Sequence, residues 1–181
     1  MTTTAAPTTA AAPTTTAAPT TTAAPTEATA EPTMTTTQVY RVFIKASAEQ
    51  IWEAITTPEF TANYFHGARV ETTGEAGAPI RYYAPDGTTL WGDDVIFESD
   101  RPHRLVVSWR SLWDEQAALE EPSRVTWEID ERDGFCLLTV IHDRLDGAPL
   151  TAQHVSGEGW MMVLSGMKTL LETGLPLGSY R

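Results

Sequence analysis

The C-terminal segment, residues 156–173, constrains the fold of this chain more than any other part of the sequence. On a helix of 3.6 residues per turn, its apolar side chains fall on one arc of roughly 120°. The arc consists of Trp160, Val163, Leu164, Met167, Leu170 and Leu171. Gly174 suits the left-handed residue that ends a helix, and Ser156 suits an N-cap. A helix this one-sided must pack on an apolar surface, so we expect a long helix lying across the rest of the fold.

The sequence before this helix predicts a series of antiparallel strands. Short segments of alternating apolar and polar residues are separated by turn residues such as Asp133 and Gly134. The predicted strands cover residues 38–45, 68–72, 79–83, 90–98, 104–109, 123–130 and 135–142. Residues 110–122 and 143–154 are predicted to be irregular segments that form lids or rims of a pocket.

Two short helices are predicted after the first strand. Ser47 and Gln50 have the spacing of a capping box, in which each side chain satisfies the other residue's backbone N–H. The second helix begins at Pro58, with Thr57 as its N-cap, because proline is favoured at the first helical position.

The composition limits the classes of partner. The 181 residues include 24 Asp and Glu against 12 Lys and Arg, a formal net charge of −12. Nucleic acids and anionic membranes are bound through clustered basic residues, so we expect neither as a partner. Cys136 is the single cysteine and is interpreted as a buried, inert thiol. A chain without an intrachain disulfide suits a reducing compartment, so we expect a cytoplasmic location.

The sequence predicts three regions. Residues 1–37 form a tail rich in Thr, Ala and Pro, a composition that provides no core and favours extended chain, so we expect this tail to be disordered. Residues 38–177 form the folded domain, and residues 178–181 form a short C-terminal tail.

Several segments carry a resemblance to a known family. They are Ser47-Ala48-Glu49-Gln50-Ile51-Trp52 with Pro58 after it, Asp86-Gly87, Val95-Ile96-Phe97-Glu98, Pro102-His103-Arg104-Leu105-Val106-Val107-Ser108-Trp109, Ser123-Arg124-Val125-Thr126-Trp127-Glu128, Leu138-Thr139-Val140-Ile141-His142, Gly159-Trp160, and residues 164–172. In this order they resemble the START/Bet v 1-like (SRPBCC) superfamily. More narrowly, the chain is similar to bacterial proteins related to the C-terminal domain of the activator of Hsp90 ATPase.

The resemblance implies an α+β helix-grip fold. In this fold a long C-terminal helix lies across the face of a curved antiparallel sheet of about six to seven strands. Two short helices follow the first strand. A cavity between the sheet and the long helix is implied as the place where function resides. The fold alone does not define the task, because one scaffold carries many functions.

Seven residues are predicted to line a ligand-binding cavity. Rigid aromatic rings suit planar or apolar ligands, and the chain has six tryptophans. The predicted residues are Phe65, Tyr83, Trp109, His142, Trp160, Leu164 and Met167. We expect no cofactor and no metal, because the four histidines lack the spacing of a metal site.

The sequence leaves three functions open. The first is binding of a small hydrophobic molecule in the cavity. The second is an enzyme of the cyclase or aromatase kind, for which His142, Tyr83 and Arg110 are the candidates. His142 is a weak catalytic candidate, because the adjacent Asp143 points to the opposite face of its strand. The third is a co-chaperone-like protein that binds a protein partner through its outer surface.

Overall fold

A computed structural model describes residues 1–2 and 36–178. The tail prediction for residues 1–37 therefore falls almost entirely outside the described residues, as do residues 179–181. The chain divides into two units, Met1–Thr33 and Met34–Arg181, and the fold below belongs to the second. Thr36 donates its backbone N–H and its hydroxyl to Oδ1 of Asp146, at 2.8 and 2.9 Å. These bonds attach the chain to the domain just before the first strand.

The domain is built on an antiparallel sheet. Its seven strands are β1 (Gln38–Ile44), β2 (Arg69–Thr72), β3 (Pro79–Tyr83), β4 (Leu90–Asp100), β5 (Arg104–Trp109), β6 (Ser123–Arg132) and β7 (Phe135–Asp143). The spatial order is β1-β7-β6-β5-β4-β3-β2. Strands next to each other in the chain are therefore neighbours from β2 to β7, while β1 joins the far edge by pairing with β7.

Two helices connect the opposite edges of the sheet, α1 (Ala48–Thr56) and α2 (Pro58–Tyr64). The predicted capping box is confirmed, because Ser47 accepts from the backbone of Gln50 and Gln50 accepts from that of Ser47. Pro58 is the first residue of α2, also as predicted. The buried face of α1 packs in the same core as the inward side chains of β6 and β7.

The long C-terminal helix is α4 (Glu158–Thr173). Its predicted apolar arc faces inward, with Trp160 and Met167 2 % and 0 % exposed. Gly174 ends it in the left-handed conformation, as predicted, with φ of 74°. The N-cap prediction is wrong by one residue. The cap is Gly157, whose φ of 59° is a conformation that glycine adopts more readily than serine.

A further helix, α3 (Pro149–Val155), lies in a segment predicted to be irregular. That prediction is wrong for these residues. The carboxylate of Glu120 accepts from the backbone N–H groups of Leu150 and Thr151, at 2.6 and 2.9 Å. A side chain some thirty positions away in the sequence thus satisfies the first turn of α3, which local sequence does not reveal.

The arrangement confirms the α+β class and the helix-grip architecture predicted from the sequence. Helices α1 and α4 contribute to one core with the inward face of the sheet, and α4 contacts β1, α1, α2 and α3. Along β6 the buried side chains alternate, with Val125, Trp127 and Ile129 at 0 %, 2 % and 4 % exposure. No helix within residues 1–2 and 36–178 is long and apolar enough to cross a membrane.

Candidate functional site

A cavity of about 470 Å³ opens where the first turns of α4 face the sheet. Its wall combines residues that follow α2, residues of β4 and β5, the segment after β5, the end of α3 and the start of α4. The lining residues are Phe65, His66, Trp91, Trp109, Trp113, His154, Val155, Gly159, Trp160 and Val163. The cavity is therefore walled mainly by aromatic rings, and its volume is within the range of small-molecule sites.

Trp109 is the centre of this aromatic wall. Its ring centroid lies 5.6 Å from that of Trp160, 6.0 Å from that of Phe65 and 6.3 Å from that of Trp113. These are the tilted and edge-on geometries that aromatic pairs prefer. The indole N–H of Trp109 is buried and has no acceptor among the described residues. Trp109 thus contributes a rigid apolar ring to the cavity wall.

A hydrogen-bonded chain supports the wall from behind. Trp160 donates its indole N–H to Nδ1 of His142, at 3.1 Å, and Nε2 of His142 lies 2.7 Å from the hydroxyl of Ser123. Because Nδ1 accepts, Nε2 carries the proton and donates to Ser123. Ser123 in turn donates to the backbone carbonyl of Trp109 at 3.2 Å. The chain links the ring of Trp160 to the backbone of Trp109 through two polar side chains of the sheet.

His142 is held in the neutral form within this chain. It is completely buried, and burial lowers its pKa from 6.5 to about 3. The neighbouring Asp143 points away and binds Arg124 through both carboxylate oxygens, at 2.9 and 2.5 Å. His142 therefore has both ring nitrogens in use and is not among the residues that line the cavity. Its geometry is that of a residue that positions Trp160.

The structure brings together three of the seven predicted ligand-binding residues in the cavity wall, namely Phe65, Trp109 and Trp160. Leu164 and Met167 lie in the close-packed core beneath the middle of α4, beyond the cavity. Tyr83 lies on the outward side of β3, because strand alternation places Tyr82 inward, where it is 5 % exposed. The ligand-binding role of all seven residues stays a prediction.

Sequence reasoning did not select several residues of the wall. These are His66, Trp91, Trp113, His154, Val155, Gly159 and Val163. Val163 belongs to the predicted apolar arc of α4. Its position one turn after Trp160 is the signal from which its place in the wall could have been predicted. His66 has a φ of 53° in the turn that precedes β2, and no local pattern predicts this placement.

A buried carboxylate stands next to the cavity. Asp94 on β4 is 6 % exposed, and its Oδ1 accepts from the hydroxyl of Ser108 at 2.8 Å. Desolvation by burial raises the pKa of Asp94 from 3.8 to about 7. The preceding residue, Asp93, is exposed. The alternation of buried and exposed positions along β4 that buries Ile96 also turns Asp94 inward.

Comparison with protein families gives one match, to the family described as "Activator of Hsp90 ATPase homolog 1-like protein", over residues 45–172. The match covers more than half of the chain. It includes α1, every residue that lines the cavity and nearly all of α4. The chain belongs to this AHSA1 family. Comparison with curated proteins gave no match.

Solved structures share the AHSA1 fold at low sequence identity. CalU16 from Micromonospora echinospora is 19% identical with a TM-score of 0.60, and the alignment covers 78% of this chain and 77% of CalU16. Protein MLL2253 from Mesorhizobium loti is 18% identical with a TM-score of 0.63, covering 76% and 97%. The Aha1 dimer from Colwellia psychrerythraea is 16% identical with a TM-score of 0.61, covering 77% and 98%. At these identities the similarity concerns the fold alone.

Proposed function

We propose that this AHSA1-family protein binds a small apolar or aromatic molecule in the cavity between the sheet and α4. One observation carries the proposal, namely a cavity of about 470 Å³ walled by the rings of Phe65, Trp91, Trp109, Trp113 and Trp160. Rings fixed by their neighbours lose little conformational entropy when a ligand packs on them.

The experiment is a fluorescence titration with N-phenyl-1-naphthylamine, a neutral probe that brightens in an apolar site. The test variant is Val163→Trp, which adds a large ring to the wall from the buried face of α4. The matched control is Met161→Trp, which adds a ring of comparable size on the same helix at a position that is 58% exposed. We expect wild type and Met161→Trp to bind the probe alike and Val163→Trp to bind at least tenfold more weakly.

Two outcomes would overturn the proposal. If the native wild type does not bind the probe, the cavity is not a site for molecules of this class. If Val163→Trp folds and binds with unchanged affinity, the probe occupies another place. Binding through the outer surface to a protein partner, the co-chaperone-like alternative, would then be favoured. The cyclase-like alternative is tested by searching for chemical turnover of whatever molecule binds.

A further inference from the structure

A second space of about 690 Å³ borders the aromatic cavity and runs along α2 and α4. The two spaces share three lining residues, His66, His154 and Gly159. The lining of the second space is more polar than that of the cavity, because side chains such as Asn63 and Glu158 contribute to it. The two histidines thus stand where the aromatic cavity meets a polar surface.

A tight turn between α2 and β2 places His66 at this boundary. The backbone N–H of Ala68 donates to the carbonyl of Phe65 at 2.8 Å. The two residues between them, His66 and Gly67, have φ of 53° and 84°. Positive φ at both central positions is the pattern of a type I′ turn, in which asparagine followed by glycine is a preferred pair. The turn therefore does not require an imidazole at residue 66, and an asparagine there would suit its backbone.

The imidazole of His66 is exposed and has no polar partner among the described residues. Its ring lies 6.1 Å from that of Phe65, and its nitrogens form no hydrogen bond or ion pair within residues 1–2 and 36–178. By contrast, Nε2 of His154 lies 3.7 Å from Oδ2 of Asp114, and Nδ1 of His103 lies 3.4 Å from a backbone carbonyl. The ring nitrogens of His66 are therefore available to a molecule in the cavity.

The ionisable side chains of the cavity wall favour an acidic group on the ligand. His66 and His154 are the only ionisable side chains among its lining residues, so the wall itself presents no carboxylate to repel an anion. A protonated imidazole donates a charge-assisted hydrogen bond to a carboxylate. The other titratable groups around His66 are Tyr64 and Glu158, which line the second space, and Asp114, which faces His154.

We propose that His66 binds a carboxylate of the ligand, so that the preferred ligand is an aromatic carboxylic acid. Its rings would lie in the aromatic cavity and its acidic group at the boundary with the second space. The net charge of −12 opposes the approach of an anion, so the preference depends on this local donor and not on the charge of the whole chain. This inference rests on the proposed function and specifies its ligand.

The test compares two probes with one skeleton, 1-naphthylacetate and 1-naphthylacetamide, as competitors of N-phenyl-1-naphthylamine at pH 6. We expect the acid to displace this reporter from the wild type at a concentration at least fivefold below that of the amide. His66→Asn should remove the preference, because asparagine suits the turn and lacks the imidazole. His103→Asn removes an imidazole that does not line the cavity and should retain the preference.

The pH dependence of binding provides a second measurement. The acid probe is ionised at both pH 6 and pH 8.5, so a change in its affinity reports on the protein. We expect it to bind the wild type at least threefold more weakly at pH 8.5, because an imidazole is ordinarily neutral there. The amide should bind alike at both. In His66→Asn most of the dependence should be lost, which separates His66 from His154 and from Asp94, whose pKa is about 7.

The outcomes separate this inference from the proposed function. If the acid and the amide displace the reporter at equal concentration, or if the affinity for the acid is the same at both pH values, the carboxylate site is wrong while the cavity remains a ligand site. An acid preference that survives in His66→Asn also overturns it. Should that variant not fold, His66→Gly takes its place, since glycine tolerates positive φ. If the wild type binds neither the reporter nor the probes, the proposed function and the carboxylate site fail together.

Discussion

Trp160 donates its indole N–H to Nδ1 of His142 at 3.1 Å, so a ring of the cavity wall is anchored to a buried residue of the sheet. His142 donates from Nε2 to the hydroxyl of Ser123, and this hydroxyl donates to the backbone carbonyl of Trp109. The Trp160 ring, whose centroid lies 5.6 Å from that of Trp109, is thereby connected through polar bonds to the backbone that carries Trp109. The Trp160 ring therefore cannot rotate without breaking a buried hydrogen bond, whereas the Trp109 ring is held by packing.

Truncation of Trp160 should destabilise the domain strongly. Trp160 is 2% exposed, so Trp160→Ala should cost about 3–5 kcal/mol of unfolding free energy. Trp160→Phe retains a ring but leaves Nδ1 of His142 without its donor, which should cost about 1–3 kcal/mol. Urea denaturation followed by far-UV circular dichroism measures both. Met161→Ala, at an exposed neighbouring position, is the control and should change stability by less than about 0.5 kcal/mol. If Trp160→Ala also lost less than about 0.5 kcal/mol, Trp160 would not be an anchor of α4.

Burial of His142 should make the domain less stable in acid. Its pKa is about 3 in the folded protein and 6.5 ordinarily, so the unfolded chain binds a proton between these values that the folded protein does not. The unfolding free energy should therefore fall as the pH drops below 6.5, by a contribution of up to about 1.4 kcal/mol per pH unit. His142→Gln should lose this contribution. Denaturation curves between pH 4.5 and 8 for both proteins measure the difference, and parallel curves would contradict the prediction.

Asp94 should act in the opposite direction over an overlapping range. Its pKa is about 7 in the folded protein and 3.8 ordinarily, so here the folded protein holds the extra proton. This contribution stabilises the domain at low pH and is lost as the pH rises through 7. The two residues partly cancel in the wild type, and Asp94→Asn should consequently lose more stability than the wild type on acidification from pH 7 to 4.5. Asp93→Asn is the control; if Asp94→Asn follows the wild type as this control does, Asp94 titrates normally.

Removal of the remote cap of α3 should loosen the rim of the cavity. Glu120→Ala removes the acceptor for the backbone N–H groups of Leu150 and Thr151. We expect a loss of about 1 kcal/mol, comparable to that of an N-cap, and faster hydrogen exchange in residues 149–155. Glu121→Ala changes an exposed neighbour for which no side-chain hydrogen bond is seen within the described residues and should leave that exchange unchanged. Equal exchange in the two variants would show that Glu120 does not hold α3.

The parts of the fold that follow local patterns were predictable from the sequence. The apolar arc of α4, the capping box at Ser47 and the strands of the sheet are each determined by residues close in the chain. The start of α4 was not, because Gly157 caps it through an unusual backbone conformation. Helix α3 was not, because Glu120, which satisfies its first turn, lies in a different segment.

The candidate site was predictable only in part, because it depends on which side chains meet in space. Trp109 and Trp160 were selected as large rings on elements that face each other. Met167 was also selected, but the cavity lies at the first turns of α4, and Met167 is completely buried in the core farther along the helix. The burial of Asp94 was not predicted. Residues 95–97 are all apolar, so the sequence does not reveal which side of β4 faces the core.

Nuclear magnetic resonance of the six indole N–H groups tests the central claim most directly, because each tryptophan gives one signal. Addition of N-phenyl-1-naphthylamine should shift the signals of Trp91, Trp109, Trp113 and Trp160, whose rings line the cavity. Trp52, which packs in the core and is absent from the lining residues, is the internal control and should stay unshifted. Shifts confined to the four lining tryptophans would agree with a ligand between the sheet and α4. Unchanged signals for Trp109 and Trp160 at saturating probe would contradict it.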